Sequence, residues 1–151
     1  MRLSIVRGTA LVFLAVLVAI PVSAGCGNKR PITVPVRGRI TYGGGVWPKP
    51  GLIHFTPVKV PEGIPRLPVS AEFSTEGTFS VRTPGYGDGL LPGTYKVHVE
   101  CWEVEPRLGG MTPAKSFAPE KYTRPETSDL PPVVIEPGAI VPLLRYDIPL
   151  R

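Results

Sequence analysis

"GLLPGTYKVHVE", Gly89–Glu100, decides how the rest of the chain reads. A Pro92-Gly93 turn runs straight into strict alternation, with Tyr95, Val97 and Val99 on one side and Thr94, Lys96 and His98 on the other. Pro92 supplies a fixed φ and Gly93 tolerates a positive one, so the pair reads as a turn. Period two in β-branched and aromatic residues predicts a half-buried strand over Thr94–Trp102. Its apolar side includes Cys101, which predicts a buried, unreactive thiol.

Working outward, the same period recurs in short stretches between Gly/Pro turns. Strands are predicted over Thr33–Tyr42, Leu52–Thr56, Val69–Phe73, Thr78–Arg82, Val133–Ile135 and Leu144–Leu150, making seven with the first. Val34, Val36, Ile40, Ile53, Phe55, Phe79 and Val81 fall on inward positions. Pro149 cannot donate to a ladder, which puts the last strand at a sheet edge. No 3.6-residue apolar period persists for three turns. Nineteen of the 20 prolines lie beyond residue 25, spread so evenly that a long helix has no room. The pattern predicts an all-β sandwich or barrel.

The first quarter differs. Arg2 and Arg7 precede an unbroken apolar run, Leu11–Ile20, and then small residues lead to Cys26. That order reads as a secretory signal over residues 1–25, with a short tether at 26–32 and a β-domain at 33–151. The run falls short of the roughly 20 residues that span a bilayer, so a retained anchor is the lesser reading. Removing 1–25 leaves 126 of 151 residues, one ordinary domain, and takes the net charge from +5 to +3. Such a mild charge excludes a nucleic-acid stripe.

One segment breaks the pattern. Residues 103–132, "EVEPRLGGMTPAKSFAPEKYTRPETSDLPP", are polar and proline-broken. They predict a long loop with few core residues, of the kind that is functional or mobile. Its aromatics, Phe117 and Tyr122, either pin it to the body or face a partner.

Several motifs carry a resemblance. "SAGC", Ser23–Cys26, resembles a bacterial lipobox with Ser23 where Leu is usual. "STEGTF" and "GLLPGTYKVHV" resemble paired signals of transthyretin-like and carboxypeptidase-regulatory-like β-sandwich domains. "VRGRITYGGGVWPKPGLIHF" is similar to their first hairpin, and "PEKYTRPETSDL" to a segment of small bacterial lipoproteins on that sandwich. The resemblance spans most of residues 34–150. It implies a seven-stranded Greek-key, transthyretin-like or Ig-like sandwich, with Tyr95 as a buried corner tyrosine. It also implies acyl chains such as palmitate on Cys26, each buried CH₂ contributing about 0.8 kcal/mol to membrane binding. An ordinary signal cut would instead leave Cys26 a thiol, able to pair with Cys101.

For chemistry the sequence offers little. His54 and His98 sit on outward positions without a ligand-type neighbour at short spacing, leaving only a cross-strand route to a metal. Asp88 is the sole carboxylate in "GYGDG", too few oxygens for calcium. One transthyretin-like branch hydrolyses a purine-pathway intermediate with a C-terminal Tyr-Arg-Gly-Ser. This chain ends "YDIPLR". No catalytic, cofactor or metal residue is assigned. The expectation is a non-catalytic envelope lipoprotein, lipid-anchored with the outer membrane favoured and facing periplasm or exterior. Its sandwich would act as a structural or binding module for an envelope protein or glycan. The alternative is a carbohydrate- or peptide-binding accessory to an envelope enzyme. Trp47, Trp102, Phe117, Lys121 and Tyr122 are the candidate partner contacts. A sugar site would need two coplanar exposed rings, and a hydrolase would need both histidines converging on a cleft.

Overall fold

The computed structural model describes residues 31–109 and 111–150. The expected signal helix (1–25), Cys26 and the start of the tether lie outside the described residues. The chain forms β1 (Arg37–Tyr42), β2 (Gly51–Lys59), β3 (Val69–Phe73), β4 (Thr78–Ser80), β5 (Arg82–Thr83), β6 (Gly87–Asp88) and β7 (Gly93–Glu100). After these come β8 (Trp102–Val104), β9 (Lys115–Ser116), a 3₁₀ turn at Glu120–Tyr122, β10 (Val133–Ile135) and β11 (Leu144–Ile148). The body is all-β, and among the described residues no helix is long and apolar enough to cross a membrane.

The seven expected strands are the seven of the main sheet, in the order β10-β7-β2-β3-β4-β1-β11. They form one hydrogen-bonded mixed sheet: β1 and β11 run parallel and the other ladders are antiparallel. Only one pair, Phe73↔Phe79, joins β3 to β4, so a tight hairpin is the sole seam between a four-stranded and a three-stranded part. The inward residues of both parts, and of both edge strands, belong to one apolar cluster. Phe55 and Phe79 meet across it with ring centroids 6.2 Å apart. The sheet therefore curls around its own interior. At the open edges the Tyr146 hydroxyl donates to the Pro131 carbonyl, 3.3 Å away.

Local chemistry explains the corners. The 74–77 turn places Gly77 at φ +81°, and a Cβ there would overlap the Ile40 carbonyl oxygen. Only glycine fits such an approach. Pro57 lies in β2 where the ladder to β7 shifts register, the bulge position at which a missing N–H is tolerated. Tyr95 is buried and its hydroxyl donates to Leu91 O at 2.8 Å, the bonded corner the sequence anticipates. β11 is an edge strand, as Pro149 predicts.

Two readings need correction. The 103–132 segment is not a structureless loop. It holds most of β8, all of β9 and the 3₁₀ turn, and Ala118 within it is 0 % exposed. β9 closes on β8 through Trp102↔Ser116 and Val104↔Lys115, which gives the polar stretch backbone partners that no side-chain period advertises. The predicted fourth and fifth strands are likewise each cut in two, at Val81 and at Cys101.

Strand directions divide the loops between two rims. One rim gathers residues 32–37, the 60–68 and 81–92 connections and the 136–143 connection. The other carries the 43–50 and 74–77 turns and the long 101–132 crossover. The described N-terminus enters at the first rim, where Val34 bridges Leu90.

Candidate functional site

β2 and β7 are the best-paired neighbours in the sheet, so their alternation is fixed over six consecutive register pairs, Leu52↔Glu100 to Pro57↔Tyr95. Ile53, Phe55, Val97 and Val99 fill the interior, and the intervening residues stand on the outer face. That register sets His54 opposite His98. Sequence spacing could not pair them, because 43 residues and four intervening strands, β3 to β6, separate the two positions. Their imidazoles stack, with centroids 4.6 Å apart and planes inclined by 16°. Ser70, the β3 register partner of His54, holds His54 Nδ1 with its hydroxyl at 2.7 Å. Glu100 Oε2 lies 3.8 Å from His54 Nε2.

The electrostatics keep this pair neutral. Burial holds the His54 pKa below its ordinary value, with the nearby Glu100 carboxylate acting weakly the other way. Burial also lowers His98, and a charge on His54 would lower it further, against the opposing pull of Glu100 and Glu126. His54 Nε2 and His98 Nδ1 are buried without a hydrogen-bond partner. Nearly parallel rings aim their in-plane lone pairs side by side, and two ligands must converge to share an ion. Consistently, no group of three metal-capable side chains forms among the described residues. Ser70 and His54 have the contact of a nucleophile and its base, but Glu100 is too far to orient the ring through a hydrogen bond. The adjacent shallow cavity, about 290 Å³, includes Glu72, Glu100, Trp102 and Glu105 in its lining and neither imidazole. Ser70 and Glu100 escaped the sequence reading, because only strand register reveals them.

The partner-contact candidates separate. Trp47 is 2 % exposed, its ring against Tyr42 and Phe73 at 4.9 Å each, and its indole N–H donates to Ile40 O at 3.0 Å. It is a core residue and offers no surface for stacking. The backbone N–H of Trp47 donates to Thr75 O, which folds the glycine-rich 43–50 turn back over the interior. Trp102 is half-buried and donates to Glu100 Oε2 at 3.3 Å. It also lines a second shallow cavity, of about 350 Å³, with Ala114, Ser116, Ala118, Glu120 and Arg124. Phe117 and Tyr122 pack on the core from outside, which is the pinning role. The Phe117 carbonyl accepts from the Tyr42 hydroxyl at 3.1 Å. Lys121 pairs with Asp129, and its ammonium stands 5.5 Å from the Tyr122 ring centre. Trp102, Phe117, Lys121 and Tyr122 thus all belong to the crossover, at the rim opposite the Val34–Leu90 bridge.

Cys101 is a free thiol, 1 % exposed, near Lys49 O at 3.5 Å. Burial pushes its pKa up, which makes it inert as expected. The lipidation candidate, Cys26, lies outside the described residues.

Compared with protein-family models, curated proteins and solved structures, the chain matches none.

Proposed function

We propose that this chain is an exported lipoprotein whose β-domain serves the cell envelope as a non-catalytic structural or binding module. The observation that carries the reading is the order of the N-terminal sequence: Leu11–Ile20, small residues, Cys26, and then Val34 already bridged into the body. Eight residues from cysteine to fold make a tether and leave no room for a further domain between them. Diacylation at Cys26 supplies the two chains that stable anchoring requires. The curled sheet fits a four-and-three-stranded sandwich of the transthyretin-like kind, with the β3–β4 hairpin as its corner. On the outer face His54 engages Ser70, and in the crossover Lys121 engages Asp129, contacts that tie neighbouring segments of the body together.

A second reading, a peptide- or glycan-binding accessory to an envelope enzyme, is favoured by Trp102 alone. Its half-buried ring divides two shallow cavities at the tether-distal rim.

The test is fractionation of parent and Cys26→Ser chains, with intact mass of the purified parent. Acylated parent in the membrane fraction and loss of the acyl mass in Cys26→Ser support the proposal. A parent without an acyl adduct, or one distributed identically to the variant, overturns it.

A further inference from the structure

The lipid anchor fixes location, but the rim where the tether enters has a surface of its own. Parallel pairing of β1 with β11 starts at Gly38↔Leu144 and brings Pro35 and Arg37 together with residues 139–143, although more than a hundred positions separate them in sequence. Ile32 is 82 % exposed, Ile140 96 % and Leu143 55 %. Ile140 and Leu143 line one shallow cavity of about 360 Å³ with Pro35, Arg37, Ala139 and Val141. Single exposed apolar side chains are ordinary, whereas a contiguous group at one rim calls for an apolar neighbour.

Charge stands beside it. Arg37, Arg39 and Arg145 are exposed on the outer face of β1 and β11, with Arg39 and Arg145 in register. Arg39 donates to the Glu76 carbonyl, and among the described residues none of the three forms an ion pair. Lys29 and Arg30 add two more positive charges in the tether sequence, and Glu136 is the one carboxylate in the 136–143 connection. Apolar tips flanked by arginines match the boundary between acyl chains and anionic headgroups.

Reach selects the occupant. From Cys26 to Val34 the chain spans at most about 29 Å fully extended. A body of this size is roughly 35 Å across. An acylated Cys26 therefore holds the near rim toward the bilayer and cannot present the far rim to it. Resting on the lipoprotein reading, we propose that this rim docks on the anionic bilayer surface, with Ile32, Ile140 and Leu143 seated among the headgroups and Arg37 and Arg145 on lipid phosphates. The molecule is then held at two points, acyl chains and rim, and directs the 101–132 crossover with Trp102 away from the membrane.

The test uses full chain isolated with its acyl group and placed in phosphatidylglycerol/phosphatidylcholine vesicles. Polarity-sensitive labels go on Ile140→Cys, Leu143→Cys and, as the far-rim control, Leu108→Cys, which is fully exposed. Buried Cys101 leaves the introduced thiol as the reactive one. The expected result is blue-shifted emission and quenching by headgroup-level nitroxide lipids at 140 and 143, with none at 108. Adding Arg37→Gln and Arg145→Gln weakens docking about fivefold per arginine, read as the fraction quenched at rising salt. An acylated chain whose 140 label stays as wet as the 108 label overturns the docking and leaves the anchor standing. A mass without the acyl adduct overturns the anchor and the docking with it. A blue shift that appears with protein concentration in detergent alone assigns the rim to a second copy and overturns the proposal.

Discussion

His54 and His98 hold each other's rings at 4.6 Å in a setting that suits neither charge. Burial lowers both pKa values, so the unfolded chain takes up protons at a higher pH than the folded one. Stability is therefore fully present above about pH 6.5, the unfolded value, and falls as pH drops through it toward the depressed folded values. Protonating one ring also sets a cation against its neighbour. The melting temperature of the parent is expected to decline from pH 7.5 to pH 5, and His54→Gln/His98→Gln to flatten that decline. A parent curve with no slope, or an equal slope in the double variant, would contradict the account. Burial of these rings was only half legible in the sequence. Alternation places each histidine outward, which is correct. Their pairing comes from register across β2 and β7, and neither strand encodes its partner. Trp47 shows the opposite failure. Its place beside a glycine-rich turn made it a candidate partner contact, but the turn folds back, and the indole lies under it, bonded to Ile40.

At the level of the element, the segment from Lys115 to Tyr122 separates pattern from packing. Its polar composition predicts a dispensable loop. In the fold Ser116 and Ala118 are buried, and Phe117 and Tyr122 lie half-buried against the core. Removing residues 114–124 strips β8 of its partner and uncovers Cys101, whose carbonyl accepts from Phe117 N and Ser116 Oγ. Exposing that much apolar surface costs about 3 kcal/mol or more. For a domain near this length the thermal midpoint is expected to fall by roughly 10 °C or more. A deletion that melts within about 2 °C of the parent would return the segment to loop status. Strands such as Val69–Phe73 and Val133–Ile135 were legible to the residue, because two-residue alternation bounded by turns is a local signal. β9 is two residues long and exists only through its pairing with β8, so nothing local announces it.

For the whole molecule the decisive contact joins the first and last strands of the described body. β11 adds in parallel to β1 through Gly38↔Leu144 to Tyr42↔Ile148, closing most of the chain into one loop. Such a contact is invisible to local pattern, since seven strands of correct length are compatible with many sheet orders. It fixes the first rim, the exposed group at Ile140 and Leu143, and the direction in which the crossover points. Tyr146 and Ile148 anchor it from inside. Burial pushes the Tyr146 phenol up to about 12, so the unfolded chain ionises first and the stability this phenol contributes falls as pH rises from 10 toward 12. Ile148 is 0 % exposed and its truncation leaves a cavity under β1. Ile148→Ala is expected to cost about 2–5 kcal/mol and to lower the midpoint by roughly 10–20 °C. Leu150, two residues on, is 63 % exposed, and Leu150→Ala should cost well under about 1 kcal/mol. Equal shifts in the two variants, measured by calorimetry at neutral pH, would mean that the last strand is draped on the surface. The rims would then have no fixed relation to the tether, and the membrane-facing orientation would lose its structural basis.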